Sequence, residues 1–229
     1  MKLAALFSGG KDSTYAIYLA KKLGHSVDVL LTLYPHSSES HLLHYPNIKF
    51  TSLQAESMKT PQLIEEIISD DYESESKKLN SLIISAKENY SIDGIVHGGI
   101  LSEYQNNRFS LICEKNHVEL ISPLWKKEPI SYMKELLDTN FEYIISTVSS
   151  DGLNDSWLGR IIDQNGLDEL EKLQKKFGFN LNFEGGEAET FVINCPLFEK
   201  PLLIKDSTTE WDGYRGRFEI LEAKLKDNA

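Results

Sequence analysis

Apolar positions along the chain change period several times, and the changes mark out alternating strands and helices. Residues 2–7 form a short apolar run that predicts a buried strand. Ala16, Leu19, Ala20 and Leu23 recur at helical spacing, so 13–23 reads as a helix with Gly24 at its C-terminal end. Val27 to Leu33 is an apolar, β-branched run, as expected of a buried parallel strand. The region around 35–60 has weak periodicity, and 62–68 predicts a strand. A helix follows over 73–90, with Leu79, Leu82, Ile83 and Ala86 on one face. Asp93–Gly99 predicts a strand ending in a glycine turn, 102–116 a helix, and Val118 to Ile121 a strand. Strand–helix alternation of this kind implies a doubly wound parallel sheet with right-handed crossovers.

Pro123 and Pro129 bracket a connection that divides the chain into two units, 1–125 and 126–229. The second unit begins with a helix over 130–139, a strand from Phe141 to Val148 and a helix over 167–177. Its strand-rich tail, 189–225, is punctuated by Pro196, Pro201 and Gly213, and it reads as an antiparallel or mixed appendage.

Composition narrows the function classes. With 41% hydrophobic and 26% charged residues in 229 positions, the chain matches an ordinary globular protein, and no apolar run has the length of a membrane helix. The apolar N-terminus runs at once into glycines and charges, unlike a signal peptide, so the cytoplasm is the expected compartment. Cys113 and Cys195 form no C-x-x-C pair, which removes zinc ribbons, clusters and redox dithiols. A formal net charge of −11 disfavours a broad nucleic-acid surface, so no nucleic-acid partner is expected. His36, His41 and His44 include an H-x-x-H spacing, but the flanking Ser37, Ser38 and Pro46 argue for a loop folding over a ligand and not for a metal site.

The strongest chemical signal joins the first strand to the first helix: Ser8-Gly9-Gly10-Lys11-Asp12-Ser13. A helix start offers unpaired N–H groups and a partial positive charge, which together attract phosphate. Gly9 and Gly10 allow close backbone approach and positive φ, Ser8 and Ser13 add hydroxyls, and Lys11 adds a cation. Asp12 is the candidate Mg²⁺ ligand, or a holder of the loop's own amides. The spacing fits neither a Walker A loop nor a dinucleotide fingerprint. Gly98 and Gly99 stand at the C-terminal end of a later strand, the edge where ligands of a parallel sheet bind. A second cluster, Glu184-Gly185-Gly186-Glu187-Ala188-Glu189-Thr190, exposes three carboxylates around a glycine turn. Three like charges this close raise one another's pKa unless a cation or ammonium sits among them.

S-G-G-K-D-S resembles the phosphate loop of the PP-loop ATP pyrophosphatase superfamily. The resemblance implies an adenine-nucleotide hydrolase type of α/β sheet with a smaller C-terminal α+β part, and ATP with Mg²⁺ as cofactors. Superfamily analogy places adenine against the backbone at Thr32 and Leu33. The chain lacks a glutaminase part, the paired cysteines of thiolating members and the basic surface of members that act on tRNA.

The later segments resemble one family in particular, the diphthine–ammonia ligases. They are E-G-G-E-A-E-T at 184–190, Gly98-Gly99-Ile100-Leu101-Ser102-Glu103-Tyr104-Gln105 with Arg108, Ser122-Pro123-Leu124-Trp125, Gly152-Leu153 through Ser156-Trp157-Leu158-Gly159-Arg160, and Trp211-Asp212-Gly213. Gly99 stands where that family usually has alanine. The order holds over nearly the whole chain. The resemblance implies that ATP activates the carboxylate of diphthine on elongation factor 2 as an acyl-adenylate, and that ammonia then displaces AMP. It implies substrate binding by Ser102, Tyr104, Arg108, Trp157, Arg160, Glu184, Gly185, Gly186 and Thr190. Trp125 is a further candidate wall for the quaternary ammonium of diphthine. Lys11, Asp12, Glu187 and Glu189 are the expected catalytic groups, the two glutamates as ammonium binders or general base. Arg108 and Arg160 are two of only four arginines against twenty lysines, which favours a bidentate role for each. The alternatives are another AMP-forming PP-loop enzyme, acting on tRNA or a small carboxylate, and a nucleotide sensor without catalysis. A homodimer is left open.

Overall fold

The computed structural model describes residues 1–35, 47–67 and 72–227. His36, His41 and His44 lie outside the described residues. The first half builds β1 (Lys2–Leu6), α1 (Lys11–Lys22), β2 (Ser26–Pro35), α2 (Thr51–Ser57), β3 (Gln62–Ile67), α3 (Tyr72–Tyr90), β4 (Gly94–Val96), α4 (Glu103–Lys115) and β5 (Glu119–Ile121). Its five strands pair in parallel in the order β3-β2-β1-β4-β5. The order reverses at β1, so the switch point falls between β1 and β4.

Strand alternation explains the two faces. Leu3, Ala5 and Phe7 pack with Tyr15, Ala16, Ile17 and Ala20 of α1. Ala4 packs on the other side with Leu79, Leu82, Ile83 and Ala86 of α3. The pairing of β1 with β2 skips a residue between Leu3↔Val27 and Ala4↔Val29. This bulge sends Val27 and Val29 to opposite faces although they are two apart. The helix face read from spacing is shifted in α1. The helix starts at Lys11, Tyr15 and Ile17 are buried, and Leu23 is 67% exposed beyond its end. Gly24 then takes a left-handed φ of 86°. Helix α2, in the weakly periodic region, was not expected.

The second half contains α5 (Pro129–Asp138), β6 (Glu142–Val148), α6 (Gln164–Phe177), β7 (Ala188–Asn194), β8 (Leu202–Trp211) and β9 (Gly216–Leu225). Its strands form an antiparallel sheet in the order β7-β6-β9-β8. Helix α5 begins with Pro129 and is capped by Glu128, whose carboxylate accepts from the Ile130 and Ser131 amides. Helix α6 starts three positions before the expected 167, because Asp163 caps it by accepting from Gly166 N.

Packing runs unbroken across the expected boundary at 125/126. One hydrophobic cluster unites β1 and α1 with Leu136 of α5, Leu170 of α6, Tyr143 of β6 and Val192 of β7. On the outer face of the antiparallel sheet, Phe50 and Leu53 from the first half cover Ile144, Phe191 and Ile220. The C-terminal edge of the parallel sheet is thereby held against the ends of β6 and β7, with a cavity of about 1110 Å³ between them.

Candidate active site

The Ser8–Ser13 loop forms one wall of this cavity. Gly9 has φ 79°, and a Cβ there would stand 2.4 Å from Gln54 Oε1. The loop is stitched to β7. Gly9 O accepts from Val192 N at 2.9 Å and from Gln54 Nε2 at 3.0 Å, and Gln54 Nε2 also donates to Val192 O at 2.7 Å. Lys11 N donates to Thr190 Oγ1 at 3.1 Å. No side chain caps α1 at Gly10, which leaves the start of the helix open to an anion. The Ser8 and Ser13 hydroxyls stand 3.2 Å apart.

Lys11 differs from the free cation expected of a phosphate loop. Its side chain is buried, and Nζ donates to both Asp12 oxygens, at 3.0 and 2.9 Å, and to Asn182 O at 2.7 Å. The Phe183 and Tyr132 rings flank it, 5.5 and 5.9 Å from Nζ to the centroids. Once desolvated, the ammonium needs these partners, so it is committed to the protein. Asp12 Oδ1 also accepts from the buried Tyr132 phenol at 2.6 Å, and burial beside Asp12 holds that phenol well above its ordinary pKa.

The acidic segment divides into three roles. Glu189 lines the cavity; burial pushes its carboxyl up to about 7, Lys11 opposes the shift, and Asp12 and Glu184 add to it. Glu184 Oε1 accepts from the Ile100 and Leu101 amides at 3.1 Å each, which ties the segment to the turn after β4. Glu187 accepts from Asn180 N, Asn180 Nδ2 and Gly185 N and so braces its own turn. Glu187 and Gly185 are not among the residues that line the large cavity, whereas Gly186 and Thr190 are.

At the end of β4, Gly98 presses on the loop. A Cβ there would lie 2.5 Å from Asp12 C and 2.6 Å from Ser13 N, so only glycine fits. His97 is buried beside it. Desolvation lowers its pKa to about 4, and the ring bonds Ser122 Oγ at 2.6 Å through Nε2 and Gly99 N at 3.1 Å through Nδ1.

Among the described residues, Leu33, Gly99 and Ser102 also line the cavity. Thr32 is fully buried beneath it, its hydroxyl donating to Phe7 O and accepting from Gln62 Nε2. Four expected substrate contacts stand elsewhere. Tyr104 is 66% exposed on α4. Arg108 pairs with Glu75 at 2.7 Å, joining α4 to α3. Trp157 is a core residue, 2% exposed, and Arg160 stacks over its ring at 4.3 Å while pairing with Glu169 at 2.8 Å. Trp125 does not line the cavity either. In this structure Arg108 and Arg160 are engaged in ion pairs and Trp157 in the core. Conversely, His97, Phe183, Arg215 and Arg217 line the cavity without having been singled out. The scarcity of arginine pointed equally to Arg215, in the β8–β9 turn built by Asp212, whose carboxylate accepts from the Tyr214 and Arg215 amides, and to Arg217, in β9, which pairs with Glu210 at 2.9 Å.

The described residues contain no group of three or more His, Cys, Asp or Glu side chains able to hold a metal. From the protein, Mg²⁺ would have Asp12, shared with Lys11 and Tyr132. That fits an ion that arrives with phosphate oxygens and keeps its waters. No helix of the described chain is long and apolar enough to cross a membrane.

Residues 1–120 match the model of the diphthamide synthase N-terminal domain, and residues 128–225 that of the C-terminal domain. A protein of Bos taurus named diphthine–ammonia ligase is 32% identical over 225 residues, covering 90% of this chain and 84% of its own. The Homo sapiens protein of that name is 31% identical with the same coverage. The Schizosaccharomyces pombe protein is 30% identical over 221 residues, but the match spans 36% of its length. A biotin carboxylase structure from Campylobacter jejuni aligns over 91% of this chain and 46% of its own, at 14% identity and a TM-score of 0.29, a likeness too slight to support any argument. Both domain models match in order over nearly the whole chain, with the phosphate loop in the first and the acidic segment in the second, and the chain belongs to the diphthamide synthase family.

Proposed function

We propose that this protein is an AMP-forming ligase that converts diphthine on elongation factor 2 to diphthamide, using ATP and ammonia, in the cytoplasm. The observation that supports this most is the joining of Ser8–Ser13 and Glu184–Thr190 around one cavity, in a chain whose relatives of similar length are named diphthine–ammonia ligases.

ATP supplies the leaving pyrophosphate, and Asp12 would hold the Mg²⁺ that would screen its charge. The chain's own part is positioning and electrostatics. Gly10 and the open start of α1 receive the phosphates, with the Ser8 and Ser13 hydroxyls beside them. Leu31 and Leu33 offer an apolar wall for adenine, with Thr32 holding that strand to Phe7. The diphthine carboxylate attacks the α-phosphorus and pyrophosphate leaves. Ammonia then attacks the acyl carbon, and AMP leaves. Glu189 takes the proton that the attacking nitrogen must lose. A carboxyl near 7 is matched to that task at neutral pH. Lys11 keeps Asp12 and Glu189 compatible by lying between phosphate loop and acidic segment. Glu184 acts through the β4–α4 turn, and Glu187 through the shape of the glycine turn.

The test combines the protein with ATP, Mg²⁺ and ammonium, with and without elongation factor 2 that carries diphthine. Pyrophosphate release that requires the factor and ammonium, with amidation of the factor seen by mass spectrometry, supports the ligase. Release that ignores the factor keeps the ATP chemistry and replaces the acceptor. Absence of release in every condition removes the enzymatic reading.

A further inference from the structure

His97 belongs to no role described so far, yet it stands at the switch point of the sheet, between the phosphate loop and the S-P-L-W segment. We propose that His97 is a positioning residue for nucleotide binding: its Nδ1 lone pair accepts the Gly99 amide and sets the Gly98–Gly99 turn against the phosphate loop. The inference rests on the ATP reading above and deepens it.

The hydrogen bonds run in one direction. Gly99 N–H donates to Nδ1 at 3.1 Å, so Nδ1 carries no proton. In the neutral ring the proton is then on Nε2, which donates to Ser122 Oγ at 2.6 Å. Ser122 Oγ donates onward to Asn106 Oδ1 at 3.3 Å. Three separate segments are thereby joined: the end of β4, the residue after β5, and α4. The ring is 2% exposed and packs edge-on against Phe109, with centroids 5.1 Å apart. Burial keeps it neutral, which preserves the acceptor at Nδ1.

The turn that His97 holds has little freedom to move without consequence. The backbone of Gly98 is in contact with the Asp12–Ser13 peptide, so a displaced turn displaces the start of α1. The next two amides, Ile100 and Leu101, are held by Glu184 from the acidic segment. His97 holds the first amide of the turn and Glu184 the following two, so the turn is fixed from both halves of the molecule. A histidine present only to fill the core would require the ring volume and not the Nδ1 acceptor.

The two roles separate on substitution. Asn places an acceptor close to the position of Nδ1, whereas Gln reaches toward Nε2 and loses it. Binding of α,β-methylene-ATP with Mg²⁺, measured by calorimetry on the full chain, needs neither diphthine nor turnover. His97→Leu and His97→Gln are expected to weaken binding about tenfold, and His97→Asn to recover most of that loss. Melting temperatures of the three variants show that each is folded at the temperature of the titration. Equal binding by His97→Gln and the parent overturns the proposal, as does a His97→Asn variant as weak as His97→Gln. If the parent itself binds no adenine nucleotide, the ATP reading falls and this inference with it. If binding follows the expected order while diphthine is not amidated, only the choice of acceptor falls.

Discussion

At the scale of single residues, the site depends on how burial treats charge. Asp12 accepts from both Lys11 and Tyr132, and it stands at the mouth of the phosphate loop. Asp12→Ala should lose pyrophosphate release by about a hundredfold or more, the size of one preorganised electrostatic contact, as a coupled assay would read, and should also lower the melting temperature because the buried Lys11 ammonium loses two of its three acceptors. Glu189 gives a pH prediction. Its folded value near 7 lies above the ordinary 4.5, so folding favours the protonated form. The resulting stability is fully present below the unfolded value and is lost as pH rises through 7. Glu189→Gln should therefore gain stability relative to the parent between about pH 5 and about pH 8, by at most roughly 3 kcal/mol, while losing turnover. Denaturant titrations at several pH values decide it; a difference that does not change with pH contradicts the buried acid. The lysine expected to meet phosphate was legible as a residue of the loop, but its direction was not. Spacing along a chain cannot show that Asn182, 171 positions away, and its neighbour Phe183 arrive to enclose it.

At the scale of elements, the site is made where strand ends meet helix starts. Gly98 closes the gap between β4 and α1, and a methyl group there would enter the Asp12–Ser13 peptide. Gly98→Ala should weaken ATP binding at least about tenfold and lower stability by about 1–3 kcal/mol, because overpacking at backbone cannot relax by a rotamer change. Calorimetric titration with a non-hydrolysable nucleotide, beside a melting curve, checks both. Most elements of the parallel sheet were legible, since each long strand and helix carries its own period. Helix α2 was not, because its seven residues bury Gln54 and Ser57 as well as Ala55, and polar core positions erase the hydrophobic period. Gln54 is placed there for the hydrogen bonds it makes to Gly9 and Val192. The start of α6 was missed for a different reason: its first turn is polar and is announced only by the Asp163 cap.

At the scale of the molecule, the cavity exists because two sheets share a core. Leu3 and Ala5 of β1, Leu136 of α5, Leu170 of α6 and Val192 of β7 belong to one cluster. Leu170 is fully buried, and Leu170→Ala should cost about 2–5 kcal/mol. With the core continuous, unfolding should remain a single transition in which far-UV circular dichroism and tryptophan fluorescence coincide. Two separated transitions would show that the halves unfold independently and that the cavity between them opens first.

What the sequence by itself determined was local chemistry: a glycine loop between strand and helix, an acidic glycine turn, and a run of family segments in the right order. These follow from nearest-neighbour sterics and from residue identity, which a chain displays without folding. Tertiary structure alone decided which of those residues face the cavity. Glu187 and Glu189 are two positions apart, yet one braces a turn and the other lines the site, since the turn spends Glu187 on Asn180 and Gly185 before β7 begins. Arg160 and Arg215 are equally rare residues, but one packs on Trp157 and the other reaches the cavity from the β8–β9 turn. The contacts that divert Glu187 and Arg160 are local, whereas the cavity that Glu189 and Arg215 reach exists only because the shared core brings the phosphate loop to segments more than a hundred positions away.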